Sequence, residues 1–189
     1  MQLSIVTWNT WKYKQIANKL PSFVLADQQV IDIPEIQTNV LTEISKDKCL
    51  QAWNVLQKPL IVDDSGIYFS AFNEFPGALS KFLYTGIGLA WMQSMYTWVQ
   101  DMSAIFQCVL SYMDATLQEP LQFIGEVKWT ISFDRLDKAK EDTHLPYDLI
   151  FIPEWFDTPA LFERDAWLKV NHRVRAVEKC SQWLEERAR

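Results

Sequence analysis

With 189 residues, the chain is long enough to bury a substantial core in one ordinary domain, and 49% hydrophobic with 22% charged residues excludes a disordered polymer. A formal net charge of −6 without a Lys/Arg cluster argues against nucleic acid as the partner. It does not argue against a small anionic substrate, because a few local cations and a bound metal reverse the field of a pocket.

The first residues, Met1 to Thr7, lack a basic region and a long apolar run, so they do not read as a signal peptide, and Leu3 to Thr7 is a short β-type run. Helical spacing follows around Ile16 and Leu20 until Pro21 stops it, and Val30 to Ile33 reads as a second strand. Between Leu41 and Leu56, Cys49, Ala52, Trp53 and Leu56 repeat at helical spacing, which predicts an amphipathic helix. Leu60-Ile61-Val62 is an apolar strand expected to end in a turn at Asp63-Asp64-Ser65-Gly66, and Ile67 to Phe72 leaves that turn.

From Phe82 to Gln100 no residue is charged, but Thr85, Gly86, Gly88, Gln93, Ser94 and Thr97 interrupt the run, and its flanks are Lys81 and Asp101 rather than a basic cluster. A buried helix, or one lying in a subunit interface, is the expectation, with no membrane span. Two long β segments follow, Ala104 to Met113 and Leu121 to Phe133, then a short run, Leu149 to Ile152. The last element is a helix from about Arg173 to Glu186 with an apolar stripe of Ala176, Val177, Cys180, Trp183 and Leu184. Cys49, Cys108 and Cys180 are widely separated and form no CxxC pattern, so they read as buried free thiols of a cytoplasmic protein.

Four places carry candidate chemistry. Thr7-Trp8-Asn9-Thr10-Trp11-Lys12 brings a strand into a polar turn with a lysine opening a helix, where free N–H groups attract phosphate; a solvated lysine behind an Asn cap is the plainer alternative. Asp63 and Asp64 are adjacent carboxylates that repel unless something positive neutralises them, and Mg²⁺ is a common answer; a simple Asp-Ser-Gly turn is the other. Glu43 lies off the apolar stripe of its helix beside Lys46 and Asp47, as on a solvated face. His172 and Arg173 fall in the first turn of the last helix, where cations are disfavoured. An anionic ligand would account for that, as would pairing with a carboxylate such as Glu163 or Asp165.

In order and spacing, these pieces resemble the Ham1 (inosine triphosphatase) family. The resemblance runs through Thr7-Trp8-Asn9-Thr10-Trp11-Lys12, Ile33-Pro34-Glu35, Thr42-Glu43-Ile44-Ser45, Asp63-Asp64-Ser65-Gly66, Pro76-Gly77, Phe123-Ile124-Gly125-Glu126, Tyr147-Asp148 and Asn171-His172-Arg173. It implies one α/β domain over residues 1–189: a mixed, twisted β-sheet with flanking helices and two lobes around a nucleotide cleft. It implies a homodimer that hydrolyses deaminated purine nucleoside triphosphates to monophosphate and pyrophosphate with Mg²⁺. Glu43, Asp63 and Asp64 would hold the metal, with Asp64 handling the water and Lys12 the transition-state charge. Substrate would lie along Thr7, Trp8, Asn9, Lys12, Ser65 and Lys81, with Tyr147, Asp148, His172 and Arg173 at the base. Trp8 stands where the family has glycine, as does Trp129, and Pro146 replaces the glycine before the aromatic-Asp pair. A catalytically weak nucleotide-binding module is the second reading.

Overall fold

Parallel pairing and alternation set the frame. A computed structural model describes residues 1–138 and 145–189. The first strand, β1 (Gln2–Val6), is buried from Leu3 onward on both faces, as a central parallel strand must be. It pairs in parallel with β2 (Leu25–Gln29) on one side and β3 (Leu60–Phe69) on the other, with Ile5 opposite Gln28 and Ile61. The remaining strands are β4 (Phe75–Gly77), β5 (Ser103–Met113), β6 (Leu121–Ile131) and β7 (Phe151–Pro153). The seven form a mixed sheet in the order β2-β1-β3-β5-β6-β7, with β4 paired to β3. β3–β4 and β6–β7 are antiparallel. Among the described residues, five α-helices accompany the strands: α1 (Thr10–Ala17), α2 (Leu41–Leu56), α3 (Ser80–Met95), α4 (Arg164–Val170) and α5 (His172–Arg187).

By contact density the described residues fall into two compact units. The first holds Met1–Ser65, Cys108–Glu126 and His172–Arg189. Within it, β3 sorts its side chains by the two-residue period of a strand. Ile61 joins the apolar cluster of Leu3, Ile5, Ile16 and Cys108 with α5 residues Ala176 and Val177, whereas Leu60 and Val62 join Cys49 and Ala52 of α2. Cys49, Cys108 and Cys180 are buried free thiols, and burial pushes each up to about 12. The second unit holds Gly66–Gln107 and Val127–Asn171, around a core that includes Phe69, Met92, Phe106, Phe151 and Trp167.

Two expectations need correction. The second strand is not Val30–Ile33 but Leu25–Gln29; the β-branched run looked like a strand, yet Val30 is exposed and Ile31 and Ile33 cover the α2 side of the core. Asp63–Gly66 is not a turn, because β3 runs unbroken from Leu60 to Phe69. The uncharged stretch forms α3, broken at Gly88 (φ 69°, ψ 172°), a backbone that favours glycine. No helix among the described residues is long and apolar enough to cross a membrane.

Candidate active site

The alternation along β3 decides the site. Ile61, Asp63 and Ser65 follow one parity, and Leu60, Val62 and Asp64 the other, so the two carboxylates point to opposite faces of the strand. Each face brings its own cations.

On the α1/α5 face, the Asp63 side chain is 1% exposed, and its Oδ2 accepts from Arg173 Nε at 2.9 Å and faces Lys12 Nζ at 3.2 Å. Arg173 also donates Nη1 to Gln15 Oε1 at 2.9 Å and Nη2 to Ser65 Oγ at 3.0 Å, and its guanidinium lies 5.7 Å from the centre of the Trp11 ring. Burial alone would raise the Asp63 carboxyl, but Lys12 and Arg173 outweigh it and hold Asp63 well below the usual carboxylate range. On the α2 face, Lys48 Nζ bridges Asp64 Oδ1 at 2.8 Å and Glu35 Oε1 at 3.0 Å. There burial wins: the Asp64 carboxyl is raised despite Lys48 and Lys12, with Asp63 adding to the rise. Lys12 therefore acts on both carboxylates, and the two neighbours are driven apart in acidity. Asp63 Oδ1 and Asp64 Oδ2 are buried with no hydrogen-bond partner among the described residues.

The loop before α1 is built by Asn9, whose Oδ1 accepts from the N–H groups of Trp11 (2.9 Å) and Lys12 (3.2 Å), while Thr7 Oγ1 accepts from the Asn9 N–H. That cap points Lys12 towards β3. Trp8 takes no left-handed backbone and is 70% exposed, so it is not packed in the core.

The sequence-derived residues distribute as follows. Lys12, Asp63, Asp64, Ser65 and Arg173 come together in the first unit. Arg173 pairs with Asp63 rather than with Glu163 or Asp165. Glu43 does not join them: it is exposed at the start of α2 and accepts from Thr38 Oγ1 at 3.1 Å. No cluster of three or more His, Cys, Asp or Glu arranged for a metal occurs among the described residues. His172 is buried at the start of α5, where burial and then Arg173 depress its imidazole well below the ordinary value and keep it neutral. In the second unit, Tyr147 is buried and donates its hydroxyl to the Ser80 carbonyl at 2.6 Å, Asp148 is buried in a 3₁₀ turn, and Lys81 is exposed in the first turn of α3. Lys48, Gln15 and Trp11 were missed as participants. Lys48 lies off the apolar stripe of α2, and nothing in its spacing points to Asp64.

The Ham1 family model matches residues 3–183. The chain belongs to the Ham1 family. It is 29% identical to a dITP/XTP pyrophosphatase of Methanopyrus kandleri over 98% of this chain and 97% of that protein. It is 34% identical to a dITP/XTP pyrophosphatase of Saccharolobus solfataricus over 80% of this chain and 76% of the relative. Its fold matches the Ham1 protein of Staphylococcus aureus with a TM-score of 0.81 at 22% identity, covering 99% of this chain and all (100%) of the other.

Proposed function

We propose that this chain is a nucleoside triphosphate pyrophosphatase that cleaves between the α- and β-phosphates and releases a monophosphate and pyrophosphate, with deaminated purine nucleotides as preferred substrates. The names of its Ham1 relatives support the reaction class. The observation that carries it for this chain is the acidic pair on β3, each member tied to a cation and each keeping one buried oxygen without a partner.

Those two oxygens have the donor chemistry of a hard divalent cation, and Mg²⁺ commonly takes one or two carboxylates and completes its shell with water and phosphate. Asp64 would hold it on the α2 face, with Glu35 beside Lys48 as the nearest further carboxylate; Asp63 points to the opposite face of the strand, and it and Glu43 stand outside this set. When bound, the ion draws charge from the phosphate oxygens. The chain's own residues do the rest. Lys12 and Lys48 neutralise the triphosphate, and Asp63, always ionised, keeps the local charge balanced. Asp64, whose carboxyl is raised by burial, accepts the proton of the attacking water.

We also propose a cytoplasmic homodimer joined through the exposed face of α3 and the turn after it. Phe82, Trp91 and Trp98 are 68%, 69% and 93% exposed, roughly 500 Å² of aromatic surface against about 800 Å² per partner in an ordinary interface. Trp91 and Met95 lie one turn apart after the break at Gly88, and no residue from Phe82 to Gln100 is charged, so a second copy meets no like-charge repulsion there.

The test is a panel of nucleoside triphosphates with Mg²⁺, read by released pyrophosphate. ITP, dITP and XTP should be turned over well ahead of ATP and GTP. Turnover of none of them would overturn the enzyme reading and leave nucleotide binding alone.

A further inference from the structure

We propose that Gln122 of β6 is a positioning residue for the site. Through Ser111 and Ser45 it pins the register of α2 on the sheet, and so places Lys48 where it holds Asp64 and Glu35 together. The catalytic consequence rests on the pyrophosphatase reading; the pin itself rests on geometry.

The helix α2 is seated on two kinds of surface. On one side the contact is apolar, with Cys49 and Ala52 clustered with Val6, Leu60 and Val62. Such contact is non-directional, and two small side chains do little to stop a helix from sliding. Towards β5 and β6 the contact is polar. Gln122 donates from Nε2 to the Thr42 carbonyl at 2.9 Å and to Ser111 Oγ at 3.0 Å. Ser111 Oγ lies 2.7 Å from Ser45 Oγ, and Ser45 donates to the Val109 carbonyl at 3.2 Å. A hydroxyl carries one proton. Ser45 places its own on Val109, so Ser111 donates to Ser45, and the chain runs one way from Gln122 to Val109. Ser45 and Ser111 are fully buried, where a broken hydrogen bond finds no water to replace it. The network grips α2 at Thr42 and again at Ser45, and no side-chain cap at Val40 fixes the start of the helix instead.

Lys48 lies three residues beyond Ser45. Its Nζ bridges Asp64 of β3 at 2.8 Å and Glu35, between β2 and α2, at 3.0 Å, and its side chain is 19% exposed. Two carboxylates on separate parts of the chain share one ammonium only over a narrow range of helix positions. A displacement of about 1 Å carries one of these contacts out of hydrogen-bond range. The flexible lysine stem then follows one carboxylate and leaves the other. Loss of the pin therefore parts Asp64 from Glu35, and Gln122 acts on both from a distance, through α2.

Gln122→Met keeps the length of the side chain and removes its donors. In magnesium-free buffer, nitrogen-15 NMR of the lysine ammonium groups should show a protected Lys48 signal in wild type, assigned by its absence in Lys48→Met. That signal should be lost or broadened in Gln122→Met. With Mg²⁺ present, kcat/KM for ITP should fall on the order of tenfold in Gln122→Met. On a Lys48→Met background the same change should cost less than about twofold, because the residue it positions is gone. Thermal stability, by contrast, should fall equally in both backgrounds. A Gln122→Met protein that is less stable yet keeps the Lys48 signal and wild-type kcat/KM would overturn the proposal and leave Gln122 as packing. An equal loss of kcat/KM with and without Lys48 would overturn it too. Should circular dichroism show Gln122→Met unfolded, Ser111→Ala interrupts the chain by removing one oxygen; a weakened Lys48 signal there supports the proposal, and an unchanged one refutes it. A wild-type protein that turns over no nucleoside triphosphate would sink the pyrophosphatase reading, and the Lys48 signal would still decide the pin.

Discussion

Replacing Gly125 by alanine tests how closely β6 must approach α5. A Cβ there would stand 2.0 Å from the His172 carbonyl oxygen, 2.4 Å from the Ala176 nitrogen and 3.0 Å from the Arg175 carbonyl carbon, all backbone of α5. Ordinary contact begins at 3.4 Å, so the first distance must open from 2.0 Å to at least 3.4 Å, and no rotamer change can supply that. α5 must move, and it carries Arg173, whose bond to Asp63 is 2.9 Å long. Overpacking costs about 1–3 kcal/mol, and disturbing a buried ion pair adds to it, so a loss of about 3 kcal/mol or more is expected. Urea denaturation of Gly125→Ala against wild type measures the stability, and pyrophosphate release measures catalysis well below the unfolding midpoint. The variant should lose at least about tenfold in kcat/KM, because a shift of about an ångström at a positioning group is enough for that. Wild-type stability together with wild-type activity would refute the close approach and its link to Arg173.

Asp64→Asn removes the proposed proton acceptor and should lower kcat by at least about a hundredfold in steady-state assays, with the fold intact by circular dichroism. Asp114 is a stability case. Burial opposes its charge, but hydrogen bonds from Thr116 and Tyr112 and the pairing with Arg187 (2.7 Å) win and hold its carboxyl at about 2. Its folded value thus lies below the ordinary one, so its stabilisation is complete above about pH 4 and lost as pH falls toward 2. Asp114→Asn should cost about 1–2 kcal/mol at pH 7 in urea melts and lose its deficit near pH 2. For the α3 face, light scattering should give a dimer mass for wild type and a monomer mass for a Trp91→Glu, Trp98→Glu variant; a concentration-independent monomer in wild type would contradict the interface.

Local pattern explains what the sequence revealed. The α2 limits, Leu41 and Leu56, were legible because Cys49, Ala52 and Leu56 repeat at helical spacing and the strand Leu60–Val62 follows at once. The polar edge strand Leu25–Gln29 was not legible, because an edge beside β1 buries little and leaves Asp27, Gln28 and Gln29 no hydrophobic signature. Arg173 gave a true signal, a cation in the wrong turn of a helix, yet its partner lies 110 residues away, where no spacing rule reaches. The acidic pair was seen but misjudged in geometry: two carboxylates side by side in sequence read as one turn, and a continuous strand sends them to opposite faces. Glu35 and Lys48 became visible only when the fold closed that distance.

The central claim concerns which bond is broken. Phosphorus-31 NMR of ITP incubated with the protein and Mg²⁺ reads it directly. Attack at the α-phosphorus predicts inosine monophosphate and pyrophosphate appearing together in equal amounts. Inosine diphosphate with orthophosphate as the initial products would contradict the account.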